Sequence, residues 1–212
     1  MKQLFFLISI LCLSYCQPKS EVTKHVFYLH GRIIELQGVD AVSEQFGKYE
    51  YLSIIDSLKV TQANIHHNVR AADVDFQAFC EKTSSEIDAL VNSGVEPSDI
   101  TVIGASKGAV MAMCISNMNE HPINYVLLAA NNDYIQRENQ WNLHGRILGI
   151  YERSDVIAGK DYQYWINMST NAITFKQMEI NTQLGHGFLY KPIDEWMIPT
   201  KYWISNKYDL FD

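Results

Sequence analysis

The sequence Asp-Ile-Thr-Val-Ile-Gly-Ala-Ser-Lys-Gly (DITVIGASKG) occupies residues 99–108 and decides the fold. Its first half is apolar and β-branched on both faces, which is typical of a central parallel strand. Gly104-Ala105-Ser106-Lys107-Gly108 then fits G-x-S-x-G where the strand meets a predicted helix, residues 106–118. The glycines Gly104 and Gly108 allow a tight turn that raises the Ser106 hydroxyl above the sheet and lets the helix pack closely behind it. Ser106 is therefore a predicted nucleophile.

Strands and helices alternate on both sides of this stretch. Apolar runs predict further strands at 25–29, 60–67, 124–130, 146–151 and 172–180, and helices at 49–58, 73–92, 160–168 and 193–205. The connection at 30–47 is predicted to be a loop, and the stretch at 131–145 is too short for a cap domain. This alternation predicts an α/β protein with a mostly parallel sheet of about six strands and helices on both faces.

A serine hydroxyl becomes a good nucleophile only when a base takes its proton, and a carboxylate usually orients that base. His186 follows the last predicted strand within Gly-His-Gly, and Asp155 follows the strand at 146–151. The chain order is thus serine, acid, histidine, with these three residues as the predicted catalytic triad. Three other carboxylates remain open as alternatives for the acid: Glu152, Asp161 and Asp133.

The oxyanion of acyl transfer also needs hydrogen-bond donors. The backbone amide of Lys107, directly after the serine, is one predicted donor. The second is predicted to be the amide of Arg32, in the His30-Gly31-Arg32 segment after the first strand. Gly31 would permit close backbone approach, and His30 is interpreted as a turn residue that positions the loop by hydrogen bonds.

Four sequence features resemble the α/β-hydrolase superfamily from about His25 to the C-terminus: HG at 30–31, GASKG at 104–108, SD at 154–155 and GHG at 185–187. The resemblance implies a minimal α/β-hydrolase fold without a cap domain. It also implies cleavage of a carboxylic ester, thioester or similar acyl bond through an acyl-enzyme. It leaves the substrate open, because this fold hosts many activities. A hydrolase-fold binding protein without turnover, and a peptidase or lactone hydrolase with the same triad, stay open as alternatives.

The remaining sequence features limit which classes of partner and cofactor are expected. A net charge of −7 without a basic cluster argues against nucleic acid, so a small acyl substrate is expected. Neither metal-ligand spacing nor G-x-G-x-x-G is found, so no metal or cofactor is expected. Arg70 is a weaker candidate for substrate recognition. Cys80 and Cys114 lie in predicted helices, and the sequence leaves open whether they are two buried thiols or form a disulfide bridge. Aromatic residues that could line a pocket are Trp141, Tyr162, Tyr164 and Trp165.

The N-terminus predicts export. Lys2 precedes an apolar run over residues 4–13, so residues 1–16 are predicted to be a signal peptide. Cys16 closes a segment similar to a bacterial lipobox, so lipidation of Cys16 and simple cleavage after it both stay open. Residues 17–23 would form a polar tether and 24–212 the hydrolase domain. The expected product is a periplasmic, membrane-anchored or secreted bacterial protein of undetermined oligomeric state.

Overall fold

A computed structural model describes residues 23–60 and 62–211, so the predicted signal peptide and most of the tether lie outside the described residues. Eight strands are Lys24–Leu29 (β1), Val42–Ser43 (β2), Gly47–Lys48 (β3), Ala63–His67 (β4), Ile100–Ala105 (β5), Asn124–Leu128 (β6), Gly145–Glu152 (β7) and Ala172–Ile180 (β8). Six of them form one sheet in the order β4-β1-β5-β6-β7-β8, and every neighbouring pair is parallel. The predicted six-stranded parallel sheet is confirmed.

Helices cover both faces of this sheet. They are Arg32–Gln37 (α1), Tyr51–Leu58 (α2), Phe76–Asn92 (α3), Lys107–Met118 (α4), Asp133–Glu138 (α5), Gln163–Met168 (α6) and Asp194–Ile204 (α7). One buried core lies between the sheet and α1, α2 and α7, and a second lies between the sheet and α3, α4 and α6. Alternate residues of β1 divide between them, since Val26 and Tyr28 join the first core and Phe27 and Leu29 the second. In the described ranges, no helix is long and apolar enough to cross a bilayer.

The predicted loop at 30–47 and the connection at 131–145 both contain regular secondary structure. Residues 30–47 form α1 and the β2–β3 hairpin, and residues 131–145 contain α5. The prediction of a loop at 30–47 was wrong, because a six-residue helix is too short to show a clear apolar period. Between β6 and β7, where every residue is described, α5 is the only helix, in keeping with a fold that carries no cap.

Close packing brings α4 to the carboxyl end of the sheet. A Cβ added at Gly108 would lie 2.0 Å from the carbonyl oxygen of Leu29, and one at Gly104 would lie 2.4 Å from Cα of Ala109. These distances are far below normal contact, so only glycine allows the start of α4 to lie against β1 and β5.

Cys80 on α3 and Cys114 on α4 are buried free thiols, and the disulfide bridge left open by the sequence is not formed.

Candidate active site

Ser106 occupies the sharp turn between β5 and α4. Its backbone has φ 53° and ψ −121°, a left-handed φ that a residue with a Cβ adopts only when the surroundings enforce it. The surroundings do so through the amide of Ser106, which donates to the carbonyl of Leu128 on β6 at 2.9 Å. The close packing of α4 fixes the other side of the turn. The hydroxyl is consequently presented at the carboxyl edge of the sheet, half-buried.

His186 lies in a short 3₁₀ helix, Gly185–Tyr190, after β8. Gly185 has φ 54°, and a Cβ at Gly187 would lie 2.8 Å from the ring of Phe46, so the local geometry favours glycine at both positions of Gly-His-Gly. His186 is buried, with Nε2 at 2.9 Å from the Oγ of Ser106. The ring therefore stands within hydrogen-bonding distance of the hydroxyl.

Asp155 orients the other nitrogen of this ring. Its Oδ2 lies 2.7 Å from Nδ1 of His186, while Oδ1 accepts hydrogen bonds from the amides of Ile157 and Ala158 at 2.8 and 3.2 Å. Burial would raise the pKa of Asp155, but the hydrogen bond and charge of His186 and the two amides outweigh burial and lower it. An ionised Asp155 accepts a hydrogen bond from Nδ1–H of His186, which leaves Nε2 free to accept from Ser106.

The other candidate carboxylates lie elsewhere. Glu152 is fully buried, and its Oε1 accepts from the amide and hydroxyl of Ser154 at 3.2 and 2.9 Å. The Ser154 hydroxyl in turn accepts from the amide of Gly185 at 3.1 Å, so Glu152 ties the acid loop to the histidine loop. Asp133 and Asp161 are exposed. None of the three stands in the place of the carboxylate that contacts the histidine.

The two predicted oxyanion donors are both first residues of helices. Arg32 begins α1 and Lys107 begins α4, and the first amides of a helix have no partner within that helix. Both residues line the same cleft as Ser106. A Cβ at Gly31 would lie 3.5 Å from the Cβ of Ser106, in ordinary contact, so glycine here keeps the space beside the hydroxyl open. Both predicted donors thus lie at helix starts that line the cleft of the nucleophile, and their role in an oxyanion hole stays a prediction.

His30 is fully buried and fixes the loop that carries Arg32. Its Nε2 accepts from the amide of Arg70 at 3.0 Å, so Nδ1 carries the proton and donates to the carbonyl of Gly31 at 2.9 Å. Burial, together with the charge of Arg70, lowers the pKa of His30 to about 4. The ring is neutral at pH 7 and acts by hydrogen bonding alone.

Sequence reasoning missed a buried carboxylate beside the site. Glu35 on α1 accepts from Nε of Arg70 at 2.8 Å and from Nζ of Lys107 at 2.6 Å. The side chains of Glu35 and Arg70 are each 1% exposed, and that of Lys107 is 28% exposed. The interpretation of Arg70 as a substrate-recognition residue was wrong, because its side chain is enclosed in this cluster. We call Glu35, Arg70 and Lys107 the ion cluster.

Two clefts open beside Ser106, with volumes of about 370 and 220 Å³. The larger follows α4 and α5, and the smaller lies between α1 and the histidine loop. Both are lined mainly by apolar side chains. The aromatic candidates from the sequence do not line them, and two of these, Tyr162 and Trp165, are fully buried in the core.

Comparisons with solved structures identify a shared fold. Arabidopsis thaliana SOBER1 is 11% identical, with a TM-score of 0.54, over 88% of this chain and 99% of its own. An esterase/lipase from an uncultured bacterium is 13% identical, with a TM-score of 0.58, over 89% and 78%. A predicted CIB-like hydrolase from Thermoplasma acidophilum is 12% identical, with a TM-score of 0.57, over 89% of each chain. No protein-family profile and no curated protein matches the sequence. At these identities the likeness extends to the fold and no further.

Proposed function

Because the chain has the α/β-hydrolase fold, we propose that it is a serine hydrolase that cleaves a carboxylic ester or related acyl bond through an acyl-enzyme on Ser106. The observation that supports this most strongly is the hydrogen-bond chain from Ser106 through His186 to Asp155, at 2.9 and 2.7 Å. A buried acid, an oriented imidazole and a strained serine in this order are the requirements for an activated hydroxyl.

In the acylation step, Oγ of Ser106 attacks the carbonyl carbon while Nε2 of His186 takes the hydroxyl proton. The carbonyl π electrons move to oxygen and form a tetrahedral oxyanion. The bond to the leaving group then breaks, and His186 gives the proton to the departing alcohol oxygen. Asp155 remains ionised and stabilises the imidazolium that exists between these two transfers.

The amides of Arg32 and Lys107 stabilise the oxyanion. They are unpaired within their own helices, and the positive ends of the two helix dipoles face the developing charge. Deacylation repeats the same chemistry with water: His186 removes a proton from water, the hydroxide attacks the ester of Ser106, and the serine leaves with the proton from His186. The product is a free carboxylic acid.

Covalent labelling tests this proposal without knowledge of the substrate. The purified protein is treated with a fluorophosphonate, and the modified peptide is located by mass spectrometry. We expect one label on Ser106, which is lost in Ser106→Ala and in His186→Ala. Ser85→Ala, which removes an exposed hydroxyl on α3, is the control and should label normally. An intact protein that takes up no label, or a Ser106→Ala variant that still does, would refute the proposal.

We further propose that the enzyme is exported, on the basis of Lys2, the apolar run at 4–13 and Cys16. Expression of the full chain in a bacterium, followed by fractionation and incorporation of labelled fatty acid, tests this. Cleavage near Cys16 in the exported fraction is expected. Fatty acid retained by the wild type and lost in Cys16→Ser would establish anchoring, and an uncleaved cytoplasmic protein would contradict export.

A further inference from the structure

The two clefts meet at the nucleophile. Arg32, Ser106 and Ile157 line both of them, so an ester bound with its carbonyl at Ser106 can extend one part into each cleft. The smaller cleft also contains His186, while the larger cleft does not. Only the half of a substrate that occupies the smaller cleft therefore lies next to His186.

The position of His186 decides which half goes where. In the proposed hydrolysis, the atom that leaves must receive its proton from Nε2 of His186, so the alcohol has to lie on the histidine side. The acyl chain is then directed into the other cleft. We call the larger cleft, which follows α4 and α5, the acyl cleft, and the smaller one beside His186 the alcohol cleft.

The walls of the acyl cleft are mainly apolar, with Asn132 and the exposed Tyr134 also in the lining. Phe76, Val110 and Ile135 line it, and the small residues Ala129 and Ala130 leave room for a ligand. Val110 follows Ser106 by one helical turn, and its amide donates to the carbonyl of Ser106 at 3.1 Å, so its side chain lies on the same side of α4 as the serine. An apolar chain is thus in contact with protein from the carbonyl carbon onward.

Charge at this cleft is confined to its edge. The ammonium of Lys107 is held by the Glu35 carboxylate at 2.6 Å, and Arg32 is exposed at the junction of the two clefts. A charged group at the far end of an acyl chain, away from Arg32, would lie among apolar side chains and would lose hydration without gaining a counter-charge. An uncharged chain pays no such desolvation penalty when it enters the cleft.

Resting on the proposed hydrolysis, we infer that the substrates are esters of uncharged, apolar acids, with the acyl chain in the acyl cleft and the alcohol in the alcohol cleft.

A series of p-nitrophenyl acetate, butyrate, hexanoate and octanoate tests this with the alcohol held constant. One fully buried methylene contributes about fourfold in affinity, so we expect kcat/KM to rise at least about tenfold from acetate to hexanoate. The p-nitrophenyl ester of succinate, which carries a terminal carboxylate on a chain of butyrate length, should be at least about tenfold slower than butyrate.

Two tryptophan substitutions separate the clefts. Val110→Trp should lower the hexanoate-to-acetate ratio of kcat/KM by about tenfold, because the indole fills the acyl cleft. Ile33→Trp adds the same bulk to the alcohol cleft and should disfavour p-nitrophenyl relative to methyl esters while keeping the acyl ratio. Leu52→Trp, on the exposed side of α2, is the control and should change neither ratio.

The outcomes distinguish this inference from the function on which it rests. A flat chain-length profile, a preference for the succinate ester, or exchanged effects of Val110→Trp and Ile33→Trp would overturn the inference, while fluorophosphonate labelling and Ser106-dependent acetate hydrolysis would still support a serine hydrolase. Loss of that labelling in the intact protein would overturn both.

Discussion

Replacing Glu35 with glutamine should weaken both the stability and the catalytic rate of the proposed enzyme. The amide can still accept from Arg70, but it removes the only negative charge in the ion cluster and presents N–H groups toward Lys107. Arg70 is then a buried cation without a counter-ion, and breaking a buried pair in this way costs about 3 kcal/mol or more. For a protein of this length, that cost lowers Tm by roughly 6–12 °C.

The effect on rate follows from the position of the cluster. Glu35 connects α1, which begins at Arg32, to the first residue of α4, so it fixes the distance between the two proposed oxyanion amides. Loss of one oxyanion donor costs about 10²- to 10³-fold in kcat, and a donor displaced rather than deleted should cost about tenfold. KM should change little, because the oxyanion exists only in the transition state and in intermediates near it.

Urea unfolding and ester kinetics, measured at a temperature where both proteins are folded, test these two effects separately. Glu35→Gln with Arg70→Met removes the unpaired cation, so it should recover stability while kcat stays low, because the link to Lys107 is still absent. Glu86→Gln breaks an exposed pair with Lys82 and should cost no more than about 1 kcal/mol. A loss below 1 kcal/mol in Glu35→Gln, or an unchanged kcat, would refute the reasoning.

Three further predictions concern other parts of the site. The pKa of His30 is about 4 in the folded protein and 6.5 in the unfolded chain, so the unfolded chain binds a proton more readily as the pH falls. The free energy of unfolding should therefore fall by about 3 kcal/mol between pH 6.5 and pH 4. Urea titrations across this range should show the loss, and His30→Gln should flatten the profile. Asp155→Asn should lower kcat by about 10⁴-fold in ester assays, because the amide favours the wrong tautomer of His186. Gly108→Ala should fail to fold or should lose more than about 3 kcal/mol of folding stability, measured by thermal melting. Gly31→Ala, where the added Cβ makes only ordinary contacts, should fold normally. Equal stabilities of the two variants would contradict the packing argument.

The sheet was predictable because its central strands are continuous apolar runs. Every residue of β5 and β6 is buried, and such runs are distinctive in sequence. The positions of Ser106, Asp155 and His186 followed from the same source, since each lies in the connection after a predicted strand and parallel strands bring their carboxyl ends to one edge. Their juxtaposition in the structure is thus a consequence of topology.

The ion cluster was not predictable in this way. Glu35 lies on a helix of six residues, and its partners are distant in sequence: Arg70 lies in the loop after β4, and Lys107 is the first residue of α4. A single glutamate in a segment as short as Arg32–Gln37 gives no sign of burial, because most glutamates are solvated surface residues. Only the folded arrangement, which buries the carboxylate between two cations, distinguishes this residue from the rest.

The proposed triad and the ion cluster together give the buried charges a geometric role. A buried ion pair is weak support for stability, because apolar residues of similar volume often serve as well. Apolar residues, however, would not hold the starts of α1 and α4 at one fixed separation. Glu35 does this by joining the loops after β1, β4 and β5, while His186 and Asp155 join the loops after β8 and β7 to Ser106. Since Ser106 and its neighbour Lys107 belong to one turn, both networks converge on the turn that the glycines of the central motif make possible.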